Sequence, residues 1–302
     1  MLTLFISYKF KELKVCMLRI FNFVNLIKFE HSIFALPFAL SGAFLVKENG
    51  FPEAGIIFLI VLAMVSARSF AMSVNRIIDS KIDLENPRTK SREIPSGKIK
   101  TINAILFALI SLFIFIYTAY KLPRICLLLL PIAAIWFLIY PFTKRFTFLS
   151  HLWLGIALGG SVLGGWLAAG GDVSSIIPYI LGLAVTFWVA GFDIIYACQD
   201  FDFDKKNKLH SIPAYFGIKN GLLISRMFHI ITIAALIFLG TIIKSSFIYW
   251  LGVAFVSAML IYEQTLVKEN DLSKINLAFF TLNGWVSVGF LGFILLEKIL
   301  TW

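Results

Sequence analysis

The feature that most limits what this chain can fold into is a succession of apolar runs on the scale of a lipid bilayer, near 32–46, 54–78, 102–120, 124–142, 150–169, 176–198, 221–243, 246–267 and 275–298. Inside hydrocarbon the backbone must satisfy its own hydrogen bonds, so such runs cross as helices, with about 20 residues for about 30 Å of apolar core. Hydrophobic residues are 59% of the 302 positions and charged ones 15%, too little polar surface for a water-soluble globule of this size. The expected fold is an all-α membrane protein of about nine transmembrane helices. Two pseudo-repeated four-helix units would surround a central cavity, with a ninth helix added.

A net charge of +10 does not point to nucleic acid, because the basic residues follow topology rather than forming one patch. With the amino terminus in the cytoplasm, nineteen of the 27 Lys and Arg fall on that side, five on the other (Lys47, Lys121, Arg124, Lys244 and Lys298), and Arg68, Arg76 and Arg226 lie within helices. That bias is the positive-inside pattern. Cys16, Cys126 and Cys198 have neither disulfide nor zinc spacing. Residues 1–19 read as a cytoplasmic extension rather than a signal peptide, because Lys9, Lys11 and Lys14 interrupt their apolar part; Met17 is an alternative start. The remainder, 20–302, reads as one domain, with halves about 20–145 and 150–267 and a ninth helix at 275–298.

Two stretches carry the chemistry. Asn75, Asp79 and Asp83 are spaced four apart at the end of the second run, which on a helix makes one slowly drifting stripe of oxygens. At the end of the sixth run stand Asp193, Tyr196, Asp200, Asp202 and Asp204. On a continuous helix Asp193, Asp200 and Asp204 fall within about 40° of one another, with Asp202 pointing away. Six of the chain's eight aspartates lie in these two stretches. Carboxylates and an amide are hard ligands of the kind Mg²⁺ accepts, together with water and substrate phosphates.

Each acidic stretch is followed by a basic loop. The first holds Arg88, Lys90, Arg92 and Lys98, and the second Lys205, Lys206 and Lys208; an Ile-Pro-small-residue step (Ile94-Pro95-Ser96, Ile212-Pro213-Ala214) follows in both. Arg68, seven residues before Asn75, shares its stripe and either binds substrate carboxylate or diphosphate or neutralises the aspartates. Arg145 closes Tyr140-Pro141-Phe142-Thr143-Lys144-Arg145 with a planar donor fork suited to diphosphate. His31 is read as a solvated interfacial anchor, with contact to substrate as the alternative, and His229 as a packed or interfacial residue rather than a base. Gly155, Gly159, Gly160, Gly164 and Gly165 are read as a face for close helix contact, while Glu263 and Asn283 look isolated.

Facing carboxylate clusters ringed by cations at a bilayer surface suit a ligand with several negative charges. Carboxylates alone would repel a diphosphate, and metal ions turn the repulsion into binding. A cation transporter is the competing class, but its site belongs near the midplane, whereas these aspartates sit at helix ends. A membrane enzyme of nucleotide-linked head-group transfer would concentrate its carboxylates in one motif.

The spacing Asn75-x3-Asp79-x3-Asp83 with Asp193-x2-Tyr196-x3-Asp200-x3-Asp204, the loop Arg92-Glu93-Ile94-Pro95-Ser96-Gly97 and the segment Tyr140–Arg145 together resemble the intramembrane aromatic prenyltransferases typified by 4-hydroxybenzoate polyprenyltransferases. The resemblance implies Mg²⁺, two ions held through a polyprenyl diphosphate, on Asn75, Asp79, Asp83, Asp200 and Asp204. It implies diphosphate contacts from Arg68, Lys81, Arg88, Arg92, Lys144 and Arg145, and catalytic roles for Tyr196 and Asp193. The ring of Tyr196 would shield an allylic cation, and Asp193 would polarise the acceptor hydroxyl or take up its proton. The acceptor implied is 4-hydroxybenzoate or a dihydroxynaphthoate, in ubiquinone or menaquinone biosynthesis. Lys28-Phe29-Glu30-His31-Ser32, Phe192-Asp193-Ile194-Ile195-Tyr196 and Leu209-His210-Ser211-Ile212-Pro213 look more like the dihydroxynaphthoate branch of the futalosine route. Haem or chlorophyllide prenylation is the alternative within the superfamily. The implied location is the bacterial inner membrane, with the site mouth facing the cytoplasm.

Overall fold

The computed structural model describes residues 21–28, 32–46 and 50–300. The extension 1–19 with its alternative start Met17, and the histidine at position 31, lie outside them. We label the helices α1 (Ser32–Phe44), α2 (Ala54–Ile78), α3 (Ser80–Glu85), α4 (Thr101–Lys121), α5 (Arg124–Thr143), α6 (Ser150–Ala168), α7 (Ile177–Ala197), α8 (Phe201–Lys206), α9 (Ile212–Phe216), α10 (Ile218–Ile242), α11 (Phe247–Leu266) and α12 (Asn283–Leu300). Among the described residues no strand is formed. Among the described residues eight segments are long and apolar enough to cross a membrane, with α7 and α8 counted as one from Ile177 to Lys206; α1 is apolar but shorter, at 13 residues.

Most long helices turn large apolar side chains outward, including Phe113, Ile132, Ile230, Phe238 and Ile261, all exposed. A bilayer supplies the apolar surroundings that these side chains require. The exception is α7, which is buried over most of its length and forms the centre of the largest core cluster, with Leu181, Val185, Trp188, Val189 and Phe192.

Close approach of backbones sets the helix order. A Cβ placed on Gly155 would lie 2.2 Å from the Thr186 carbonyl oxygen, one on Gly159 2.4 Å from that of Gly182, and one on Gly165 1.9 Å from that of Ala39. Three of the five glycines expected to form one face therefore press α6 against α7 and α1. Gly160 and Gly164 have nothing within 4 Å, because steps of four from 155 and from 160 run down different sides of the helix. Trp136 of α5 and Trp153 of α6 stack with centroids 3.8 Å apart, and each indole N–H donates to the other residue's carbonyl, at 2.9 and 3.2 Å. The bundle closes on itself where Ser287 Oγ of α12 donates to the Ile33 carbonyl of α1 at 2.7 Å.

Two residues expected to be isolated prove to be partners. Asn283 Nδ2 donates to Glu263 Oε1 at 3.1 Å, and Trp188 Nε1 donates to Asn283 Oδ1 at 2.6 Å, with all three residues buried. They stand on different helices, so spacing within one helix gave no sign of the contact.

Candidate active site

In both acidic stretches the α-helix is interrupted at an aspartate. The long helix α2 ends at Ile78, Asp79 takes φ −90° and ψ 4°, and α3 starts at Ser80. The helix α7 ends at Ala197, a 3₁₀ turn covers Cys198–Asp200, and Asp200 takes φ −100° and ψ 8° before α8. These are bridge-region angles, sparsely populated and frequent at functional residues. The continuous helix expected through Asp193–Asp204 is thus interrupted, because the turn tightens from i→i−4 to i→i−3 bonding. Asp202 is exposed and Asp204 buried, as the spacing predicts.

Each of three aspartates is met by an arginine. Asp79 accepts from Arg145 at 3.1 Å and from Asn75 Nδ2 at 3.1 Å. Asp83 accepts from Arg92 at 2.6 Å, and the buried Arg76 lies 3.9 Å from its other oxygen. Asp200 receives two parallel bonds from the Arg88 fork, at 2.9 and 2.5 Å, and a third from Asn86 Nδ2 at 3.0 Å. Arg88 also donates to the Tyr196 hydroxyl at 3.0 Å, with its guanidinium carbon 5.2 Å from the ring centroid. The loop after the first acidic stretch is therefore clasped onto the second. Burial would lower the Arg88 pKa, but the bonds and charge of Asp200 raise it, so the guanidinium stays charged. Burial pushes the Asp79 carboxyl above its ordinary value, only partly opposed by its bond to Arg145.

Lys144 stands between the clusters. Its burial alone would lower the ammonium pKa; the fields of Asp204, Asp193, Asp200 and Asp79 outweigh it and raise the value. Its carbonyl accepts from the backbone N–H of His210 at 2.6 Å, tying the loop after α5 to the one after α8. Asp193, deeper on α7, is paired with a residue that sequence reasoning missed. His151 is wholly buried, with Nδ1 2.7 Å from Asp193 Oδ2, while Nε2 accepts the backbone N–H of Ile212 at 3.2 Å. An Nε2 that accepts places the proton of a neutral ring on Nδ1, so the histidine donates to Asp193.

Below the charged layer lies an aromatic wall. Tyr196 stacks on Phe279 with centroids 4.1 Å apart, and Phe279 meets Phe192 at 5.2 Å and Phe34 at 5.7 Å. Phe279 belongs to a π-helical turn, Leu277–Leu282, just before α12; such turns are frequent at functional sites. Faces of this kind stabilise a cation that water must not reach.

The structure thus gathers Asn75, Asp79, Asp83, Asp193, Tyr196, Asp200, Arg88, Arg92, Lys144 and Arg145, with Asp204 within the field of Lys144. Arg68 donates to the Lys28 carbonyl at 3.3 Å. Lys81 is exposed, about 200° around the helix from each neighbouring aspartate. Beyond His151, sequence reasoning missed Arg76, Asn86 and the Phe34–Phe279 wall. Arg76 had a usable signal, its spacing of seven from Asp83; the others have partners distant in sequence.

The donor set fits Mg²⁺. Asp83 Oδ2 and Asp204 Oδ2 are buried and make no hydrogen bond; Asp83 Oδ2 has only the distant Arg76 guanidinium at 3.9 Å, and buried carboxylate oxygens left without a hydrogen bond are costly and are free to take a metal ion. Among the described residues no three His, Cys, Asp or Glu side chains are grouped so as to hold an ion by themselves. Mg²⁺ sites that rely on one or two carboxylates, water and substrate phosphate have that composition.

A model of the UbiA prenyltransferase family matches residues 35–285. The chain is 30% identical over 233 residues to a 4-hydroxybenzoate octaprenyltransferase of Vibrio campbellii, covering 76% of this chain and 80% of that protein. It is 28% identical to the enzyme of the same name from Coxiella burnetii, covering 92% and 96%. Among solved structures it resembles the apo form of a UbiA homologue from Aeropyrum pernix K1, with TM-score 0.81, 34% identity, and 89% and 98% of the two chains covered. A UbiA homologue from Archaeoglobus fulgidus bound to DMAPP and Mg²⁺ shares the fold, with TM-score 0.75 at 19% identity, covering 92% and 99%. Matched along most of its length, with its apolar helices and paired acidic stretches in place, the chain belongs to the UbiA prenyltransferase family and is an integral membrane polyprenyltransferase.

Proposed function

We propose that the enzyme transfers a polyprenyl group from its diphosphate to a ring carbon of a hydroxylated aromatic acid, 4-hydroxybenzoate or a dihydroxynaphthoate, in respiratory quinone biosynthesis. The observation that carries this reading is the layering of the site: two acidic stretches clasped by arginines lie directly over the Tyr196–Phe279 stack. A diphosphate head and an allylic carbon need those two environments side by side. The names of the Vibrio and Coxiella relatives support the acceptor class, and the DMAPP and Mg²⁺ of the Archaeoglobus homologue support the donor and metal.

Asn75, Asp79, Asp83, Asp200 and Asp204 would hold Mg²⁺, two ions shared with the diphosphate. When bound, the metal neutralises charge on the departing diphosphate. Arg88, Arg92 and Arg145 exchange their aspartate partners for diphosphate oxygens, and Lys144 adds a fourth cation. The allylic C–O bond breaks with its electron pair leaving on the diphosphate. The faces of Tyr196 and Phe279 shield the allylic cation from water. The ring carbon ortho to the acceptor hydroxyl attacks, a C–C bond forms, and a proton is lost from the acceptor. Asp193, held through Oδ2 by His151, uses its second oxygen to polarise the hydroxyl and take up that proton. The site mouth faces the cytoplasm of a bacterial inner membrane, on the side favoured by the basic residues.

The test is a reconstitution assay with purified protein in lipid, labelled polyprenyl diphosphate, Mg²⁺ and either acceptor, with Asp79→Ala and Asp200→Ala as controls. Mg²⁺-dependent lipid-soluble product that is lost in both variants supports the reading, and the acceptor consumed names the branch. No product from either acceptor with a verified donor overturns it.

A further inference from the structure

A second feature lies away from the acidic stretches. Between α10 and α11 runs a groove of about 560 Å³, walled by Ile230, Ile233 and Ile261 and bordered by Arg226 and Lys268. Both cations stand toward the bundle end that carries the acidic stretches, since α9 leads from α8 into the start of α10, and α11 returns antiparallel to it.

Arg226 is hard to account for by packing. It lies eight residues into α10, about 12 Å along the helix, and its side chain is exposed on the outer face. A helix of 25 residues is about 37 Å long and exceeds the ~30 Å hydrocarbon core by only a few ångströms at each end. The Cα of Arg226 is therefore below the interface, where an unpaired guanidinium is expensive. Among the described residues no carboxylate pairs with it; Arg76, Arg88, Arg92 and Arg145 are each matched to an aspartate, and Arg226 is not. Lys268 follows the end of α11 and is exposed. The nearby Asp271 carboxylate is taken up by Ser273, at 2.6 Å from its Oγ and 3.0 Å from its N–H.

We propose that this groove binds an anionic phospholipid from the surrounding leaflet. Its phosphodiester sits between Arg226 and Lys268, and one acyl chain lies along Ile230, Ile233 and Ile261. Charge complementarity selects the occupant. A guanidinium snorkelling from beneath the interface reaches the phosphate layer, an ammonium caps it from above, and the apolar wall continues inward where an acyl chain must go. Basic pockets between membrane helices recognise acidic headgroups in this way. A soluble anion would leave the isoleucine wall uncovered.

The experiment uses the full-length protein in detergent. Bound lipid is counted by native mass spectrometry, and the thermal midpoint is followed as phosphatidylglycerol or phosphatidylcholine of identical acyl chains is added. Phosphatidylglycerol is expected to be retained and to raise the midpoint, with phosphatidylcholine much weaker. Arg226→Gln and Lys268→Gln should each weaken phosphatidylglycerol retention about fivefold, and the double variant about 25-fold. Lys121→Gln, at the opposite end of the bundle, should leave it unchanged. Ile261→Trp, which fills the groove and keeps both charges, should displace the lipid and tests the site even where a charge variant misfolds. Equal retention of the two lipids, or retention undiminished in the double variant and in Ile261→Trp, overturns the proposal.

Discussion

The two ring nitrogens of His151 perform separable tasks, and two substitutions should divide them. Nδ1 donates to Asp193 and Nε2 accepts from Ile212. An asparagine places its amide nitrogen near the position of Nδ1, and a glutamine places its carbonyl oxygen near that of Nε2. His151 is fully buried, so water replaces neither bond. His151→Asn keeps the donor to Asp193 and orphans the Ile212 N–H, a loss of about 1–3 kcal/mol of stability. His151→Gln keeps the acceptor for Ile212 and removes the donor to the carboxylate, a bond worth about 1.5–3 kcal/mol. If that bond holds Asp193 ready for the acceptor, turnover should fall about 10- to 150-fold. The assay is a pair of measurements on each purified variant: thermal or denaturant unfolding, and kcat and KM for the acceptor at saturating diphosphate. Both variants should lose stability by comparable amounts, but asparagine should keep most of the turnover and glutamine should lose it. If activity and stability instead fall in proportion in both, His151 is only a structural joint and the assignment of Asp193 loses its support.

Other outcomes follow from the same geometry. Arg88→Lys removes the fork that makes two bonds to Asp200 and one to Tyr196; kcat/KM for the diphosphate should fall at least ~10-fold, a loss of about 1.4 kcal/mol or more, and unchanged kinetics would show that the clasp is dispensable. Chelation of divalent metal should abolish turnover and Mg²⁺ should restore it. Asp83→Asn and Asp204→Asn, which alter the carboxylates with orphaned oxygens, should shift the Mg²⁺ titration to higher concentration, and an unshifted titration would remove those two from the metal site. Gly165→Ala drives a methyl against the Ala39 carbonyl, whereas Gly164→Ala meets open space. The first should cost about 1–3 kcal/mol of stability and the second almost nothing, as read from unfolding of the two variants in the same detergent.

Spacing made part of the site legible. The steps of four from Asn75 to Asp83 are a local property of one helix, and the bond from Asn75 to Asp79 follows directly from them. The breaks at Asp79 and Asp200 were not legible, because neither Ile78-Asp79-Ser80 nor Cys198-Gln199-Asp200-Phe201 contains the Gly or Pro that usually marks an interruption. His151 was invisible for a different reason: its two partners lie 42 and 61 positions away. Glu263 and Asn283 show the same limit, as two polar residues that a contact between helices turns into one buried network.

The joining of α1 to α6 and α12 has a consequence for how the protein is made. A chain enters the membrane from its amino terminus, so α1 arrives first, yet the backbone it presses against at Gly165 comes more than a hundred residues later. The serine that caps its Ile33 carbonyl comes 254 positions later. During synthesis α1 can meet α6 only once Gly165 has been made, and its contact with α12 forms only when the last helix has been delivered. Assembly therefore has a late closing step, and a chain stopped short of α12 would have every carboxylate of the site but no closed bundle around them.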